Sequence, residues 1–80
     1  MNNIELATRC VDWLSKKSRI TKTRPYSYTA QQVATGVEGY AGNVGRISEQ
    51  VVAELRARGI KIKYVNNVNP RRFELLDGST

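Results

Sequence analysis

Histidine is absent from the 80-residue chain, and cysteine occurs once, at Cys10. Without histidine, the chain cannot form a Ser-His or Cys-His catalytic pair, nor a zinc site of the usual cysteine and histidine ligands. A single cysteine also excludes an internal disulfide, which fits a reducing compartment. We therefore predict a protein that is not an enzyme and holds no cofactor or metal. We expect it in the cytoplasm, or in that of a host cell if a phage or virus encodes it.

Long apolar runs are also missing. No stretch approaches the roughly 20 apolar residues that a membrane-spanning helix needs, and the first residues lack the basic start and apolar middle of a secretion signal. The glycines at 36, 39, 42 and 45 fit neither of the common phosphate-loop patterns. The sequence therefore predicts no membrane segment and no small-molecule ligand.

Acidic residues are few compared with basic ones. Seven aspartates and glutamates face 13 lysines and arginines, which gives a formal net charge of +6 and a pI of about 9.9. Such a surface attracts polyanions, nucleic acid first and an acidic membrane surface second. The length predicts one domain over residues 1–80, with residues 1–3 and 77–80 frayed. A core this small would gain stability from dimerisation.

The segment Asn43–Gly59 predicts the helix around which the chain is organised. Asn43 is suited to cap its start, and Gly59 is suited to end it. Between them, apolar residues recur at the three- and four-residue spacing that is typical of a buried helix face. These residues are Val44, Ile47, Val51, Val52 and Leu55.

Residues Ile4 to about Lys17 predict a first helix with two adjacent apolar stripes. One stripe consists of Ile4, Ala7, Val11 and Leu14, and the other consists of Leu6, Cys10 and Trp13. The simpler interpretation places both stripes in the core, whereas the alternative makes the second stripe the interface of a homodimer. The basic run from Lys16 to Arg24 predicts a solvated loop, or one in which Lys22 and Arg24 contact phosphates.

Two short segments precede the organising helix. Tyr26-Ser27-Tyr28 alternates like a short strand, and Thr29 with Gln32 forms a capping-box pattern that predicts a second helix over Ala30–Val37. After Gly59 the period changes from that of a helix to that of a strand. Residues 60–65 and 71–76 therefore predict a hairpin, with the turn-rich residues 66–70 at its tip.

This order of elements, together with the helix-to-strand junction Leu55–Ile60 (LRARGI), resembles winged helix-turn-helix DNA-binding domains of small prokaryotic, phage or viral regulators. The resemblance covers Ile4 to Leu76. It implies an α+β fold in the order α-β-α-α-β-β, with three helices and a small antiparallel sheet. It also implies a transcriptional regulator that binds a specific sequence of double-stranded DNA, as a homodimer on a two-fold site.

In this resemblance the third helix enters the major groove, and the hairpin, or wing, contacts the DNA backbone or the minor groove. Base contacts would come from Arg46, Glu49 and Gln50, since arginine matches guanine and glutamine matches adenine. Contacts to the backbone or from the wing would come from Asn43, Ser48, Lys61, Lys63, Arg71, Arg72, Lys22 and Arg24.

Plainer interpretations stay open for several of these residues. Arg46 could be an exposed side chain paired with Glu49 or Gln50, and phosphates repel a carboxylate such as Glu49. The wing cations could belong to a solvated sheet face on which Glu74 neutralises one lysine. Two other classes of function also stay open: a protein–protein scaffold in a transcription or replication complex, and a charge-driven binder of double-stranded RNA or of nucleic acid in general.

Overall fold

The computed structural model describes residues 2–23 and 25–76. Within them the chain forms four helices and a three-stranded antiparallel sheet. In chain order the elements are α1 (Asn3–Ile20), β1 (Tyr26–Thr29), α2 (Ala30–Val37), α3 (Ala41–Arg46), α4 (Ser48–Ala57), β2 (Ile62–Val65) and β3 (Arg72–Leu75). This order is compatible with a winged helix-turn-helix. None of the helices in this part of the chain is both long and apolar enough to cross a membrane.

Helix α1 is longer than the sequence predicts at both ends. The side-chain oxygen of Asn2 accepts a hydrogen bond from the Glu5 N–H at 2.8 Å, so residues 2 and 3 cap and begin the helix and are not frayed. At the other end, Lys17 and Arg19 lie in the last helical turn, where their charge complements the helix dipole. The basic run is therefore helical as far as Ile20. Of the predicted loop, the described residues 21–23 are outside the helix.

Helix α2 begins and ends where the sequence predicts. The Gln32 N–H donates to the Thr29 hydroxyl at 3.1 Å, and the Thr29 N–H donates to the Gln32 side-chain oxygen at 2.9 Å. This reciprocal pair is the predicted capping box. The helix ends at Glu38, which takes the left-handed conformation with a φ of 57°.

The predicted helix Asn43–Gly59 is broken in two, and this part of the prediction is wrong. The chain becomes helical at Ala41, so Asn43 lies inside α3 and does not cap it, and Ile47 separates α3 from α4. Gly45 weakens the helix locally. The Ser48 hydroxyl donates to the Gly45 carbonyl at 2.8 Å, and an uninterrupted helix would use that carbonyl for a backbone N–H. The end at Gly59 is confirmed by its φ of 86°.

The sheet has the order β1-β3-β2, which places β3 in the centre. In β3, Phe73 and Leu75 are buried and alternate with Arg72 and Glu74 on the outer face. The hairpin register pairs Lys63 with Glu74 and Tyr64 with Phe73. At the outer side of β2, the Arg56 side chain donates from Nε to the Ile62 carbonyl at 3.0 Å, which ties α4 to the sheet.

One apolar core joins the helices to the inner face of the sheet. The predicted stripe of α3 and α4 is buried throughout, and it meets the inner residues of α1, α2 and the hairpin. Its fully buried side chains, by decreasing size, are Phe73, Leu14, Leu55, Ile62, Leu75, Val33, Val44, Val51 and Cys10.

The predicted dimer stripe lies largely inside this core. Leu6 and Cys10 are 3% and 0% exposed, so an interface through them would require the fold to open, and that assignment is wrong. Trp13 is partly exposed but already engaged, since its ring meets the Tyr28 ring edge-on at 5.3 Å. A Cβ on Gly36 would lie only 2.2 Å from the Trp13 Nε1, so the glycine is needed for the close approach of α1 and α2. A dimer through other residues stays a prediction.

Burial of Cys10 has a measurable consequence for stability. Desolvation raises the pKa of the Cys10 thiol from its ordinary 9.0 to about 11. Between pH 9 and 11 the unfolded thiol has lost its proton while the folded thiol keeps it. The free energy of unfolding is therefore expected to fall over this range, by up to about 2 to 3 kcal/mol. Urea titrations at pH 7, 9 and 11 measure this fall. The Cys10→Ala variant is the control, because its other groups titrate alike, and parallel pH profiles of the two proteins would contradict the prediction.

Candidate nucleic-acid interface

A groove of about 660 Å³ runs between the pair α3 and α4 on one side and the β2–β3 hairpin on the other. The groove-lining residues are Gly45, Arg46, Ser48, Glu49, Val52, Ala53, Arg56, Lys63, Tyr64, Asn66 and Arg71. We call it the α4–hairpin groove.

The helical period determines which side chains of α4 face this groove. Glu49, Ala53 and Arg56 are spaced by four and three residues, so they follow one another along a single face. Gln50 and Glu54 are four residues apart and lie on another face of α4. There they line a small cavity together with residues of α1.

The charge of the α4–hairpin groove is strongly unbalanced. Four cationic side chains line it, and Glu49 is the one carboxylate among the described lining residues. The cations are Arg46, Arg56, Lys63 and Arg71. Lys63 Nζ lies 3.4 Å from a carboxylate oxygen of Glu74 on the outer sheet face, as the plainer interpretation of the wing expected. Because about half of the Lys63 side chain is exposed to water, the contact leaves Lys63 available to a second anion.

Gly45 allows the hairpin to approach α3 closely at one end of the groove. A Cβ built on Gly45 would lie 3.2 Å from the Tyr64 hydroxyl oxygen and 3.9 Å from a guanidinium nitrogen of Arg71. Tyr64 in turn packs its ring against Phe73, with ring centroids 4.8 Å apart. The Tyr64 hydroxyl and the Arg71 guanidinium therefore both lie close to α3 at this end of the groove.

The structure brings together some of the predicted site residues. Arg46 and Glu49 lie on the helical side of the groove, and Lys63 and Arg71 lie on the hairpin side. Arg46 is exposed, and among the ion pairs of the described residues none joins it to Glu49, the charged partner that the plainer interpretation offered.

Other predicted residues lie elsewhere. Gln50 faces α1, so its assignment to the base-contacting set is not supported by its position. Ser48 is 4% exposed and its hydroxyl donates to Gly45, so it is not available for the predicted backbone contact, and that assignment is wrong. Arg72 alternates with Phe73 and points to the outer sheet face.

Three more predicted contacts lie away from the lining. Asn43 and Lys61 are exposed on α3 and just before β2, but they are not among the described residues that line the groove. Lys22 precedes β1, which is separated from β2 by β3, about 10 Å across the sheet. Arg24 lies outside the described residues.

The main residue that sequence reasoning missed as a site residue is Arg56. It lies seven residues after Glu49, two helical turns further along the same face, so the helical period alone could have indicated it. Asn66, at the start of the hairpin tip, carries no comparable signal, because its position depends on how the hairpin folds back.

Within the described residues, no cluster of three or more histidine, cysteine or acidic side chains is placed to hold a metal ion. Comparisons with known proteins add no assignment, since no protein-family profile, curated protein or solved structure matches the chain. The functional argument therefore depends on the geometry and charge of the α4–hairpin groove.

Proposed function

We propose that this chain is a winged helix-turn-helix protein that binds duplex DNA in a sequence-specific manner and acts as a transcriptional regulator. In this proposal α4 enters the major groove and the β2–β3 hairpin is the wing. Support comes from the order of the elements and from the sheet order β1-β3-β2, in which the last two strands form a hairpin beside α4.

The observation that carries the proposal is the cationic α4–hairpin groove. A helix in the major groove and a wing on the adjacent minor groove have one phosphate backbone between them. That backbone would pass along the groove, where Arg56, Lys63 and Arg71 offer three positive charges to it, and Arg46 is left to reach a base edge. Such phosphate contacts hold the duplex but carry no sequence information, which would come from side chains that reach base edges.

The salt dependence of binding tests the groove directly. Each neutralised phosphate releases condensed counterions, so three groove cations on the backbone predict that log affinity falls against log salt with a slope of about −2.7 per protomer. Fluorescence anisotropy of a labelled duplex, titrated at several salt concentrations, measures this slope. A slope close to zero, or an absence of binding at low salt, would contradict the proposal and favour a protein–protein scaffold.

The hairpin offers a matched pair of variants for the same experiment. Arg71→Ala is expected to flatten the slope by about one unit and to weaken binding to all sequences alike. Arg72→Ala removes the same charge from the next residue, which is not among the described residues that line the groove, and is expected to change the slope less. Equal effects of the two variants would indicate that overall charge, and not the groove, holds the nucleic acid.

A further inference from the structure

Glu49 places a negative charge in a groove whose other charged lining residues are cations that suit phosphates. It is exposed, it lies among four cations, and among the described residues it belongs to neither of the ion pairs, which join Arg58 to Asp12 and Lys63 to Glu74. A bare carboxylate that faces a phosphate backbone weakens binding by repulsion. Its position favours DNA only if the carboxylate meets a hydrogen-bond donor on the duplex.

The break at Ile47 leaves Glu49 on the same face as Arg46. The Ile47 N–H donates to the Asn43 carbonyl at 3.3 Å before the break, and the Val51 N–H donates to the Ile47 carbonyl at 3.0 Å after it. Arg46 ends α3 and Glu49 lies in the first turn of α4, and both side chains line the α4–hairpin groove. The two side chains therefore face the same stretch of a bound duplex.

The chemistry of base edges decides what Glu49 could accept from. In the major groove cytosine presents the N4 amino donor, guanine presents two acceptors, thymine presents an acceptor and a methyl group, and adenine presents a donor beside an acceptor. A carboxylate accepts hydrogen bonds and donates none, so cytosine is the base that satisfies it without opposing an acceptor.

We infer that Glu49 determines specificity in this protein by accepting a hydrogen bond from the N4 amino group of a cytosine, next to the base pair whose guanine is bound by Arg46. This inference rests on the proposed function, because it requires α4 to lie in the major groove. It assigns to the groove a sequence preference that its cations alone cannot produce.

Selection of bound duplexes from a random-sequence DNA pool tests the assignment. The full chain is expected to enrich one cytosine position in each bound site, by about five-fold or more over the other bases. Glu49→Gln is expected to move the preference at that position to adenine, since the glutamine amide matches both adenine groups. Glu49→Ala is expected to abolish the preference there without creating a new one.

Glu54→Gln is the matched control. It makes the same change of charge in the same helix, but Glu54 lies on the side of α4 that faces α1. It is expected to raise affinity for all sequences slightly and to leave the selected sequence unchanged.

The outcomes separate failure of the inference from failure of the proposed function. If the unmodified chain enriches no duplex at all, both are overturned. If it enriches a site and Glu49→Gln selects the same site, DNA binding stands and the role of Glu49 is overturned. A lower melting temperature of Glu49→Gln with an unchanged selected sequence would show that Glu49 serves only the N-terminal turn of α4.

Discussion

Phe73→Ala is expected to lower the free energy of unfolding by about 3–5 kcal/mol, because it deletes a large, fully buried side chain and leaves a cavity. Phe73 has no exposed surface, lies on the central strand and contacts the ring of Tyr64. A domain of 80 residues has a total stability of about 4–12 kcal/mol. The substitution therefore removes a large share of the stability of the whole fold.

Urea unfolding followed by circular dichroism measures this loss. Phe73→Leu is the control, since it keeps most of the buried volume and is expected to cost less than about half as much. A loss below about 1 kcal/mol for Phe73→Ala would contradict the position of β3 at the centre of the core. Because Tyr64 loses its packing partner, the surviving folded fraction of Phe73→Ala is also expected to bind DNA less tightly.

Arg46→Ala is expected to cost about 1–3 kcal/mol of binding free energy on the preferred duplex, roughly 5- to 150-fold in affinity, and little on random DNA. The reason is that a guanidinium bound to a guanine edge discriminates between bases, whereas a phosphate contact does not. Arg46 is exposed at the end of α3, on the wall of the α4–hairpin groove, so its loss should leave the fold intact.

Arg58→Ala is the matched control for Arg46→Ala. It removes the same charge after α4, where Arg58 lies 3.8 Å from Asp12 of α1 in an exposed ion pair that contributes little to stability. Competition titrations with preferred and random duplexes measure both variants. An equal loss on every sequence for Arg46→Ala would show that this residue holds phosphates and does not read bases. Arg56 is less suitable for this test, because its side chain also ties α4 to β2.

Much of the fold could be predicted because its signals are local. The capping box of Thr29 and Gln32 depends on only four consecutive residues. The buried stripe from Val44 to Leu55 follows one helical period. The break at Ile47 could not be predicted in this way. The apolar period of the stripe continues through the break, and the features that accompany the break are the glycine at 45 and a side-chain bond from Ser48 to the Gly45 carbonyl.

The candidate site was predictable where it follows from helical period and was not where it depends on tertiary placement. Arg46 and Glu49 share a face by spacing alone. By contrast, Arg71 lines the groove and its neighbour Arg72 does not, and this difference depends on where β3 begins in the hairpin. The two stripes of α1 were ambiguous for a similar reason. Leu6 and Cys10 look like surplus apolar surface until α2 and α4 are both packed against the helix.

The two outer strands share a feature with a consequence for how the protein behaves at high concentration. Exposed strand edges offer unpaired N–H and C=O groups to which another chain can add as a further strand, the first step toward fibrils. Here the Thr29 N–H on β1 is taken by the Gln32 side chain, and the Ile62 carbonyl on β2 is taken by Arg56. Both edges are also only four residues long. The same side chains that begin one helix and anchor another therefore each occupy one backbone group that an added strand would need.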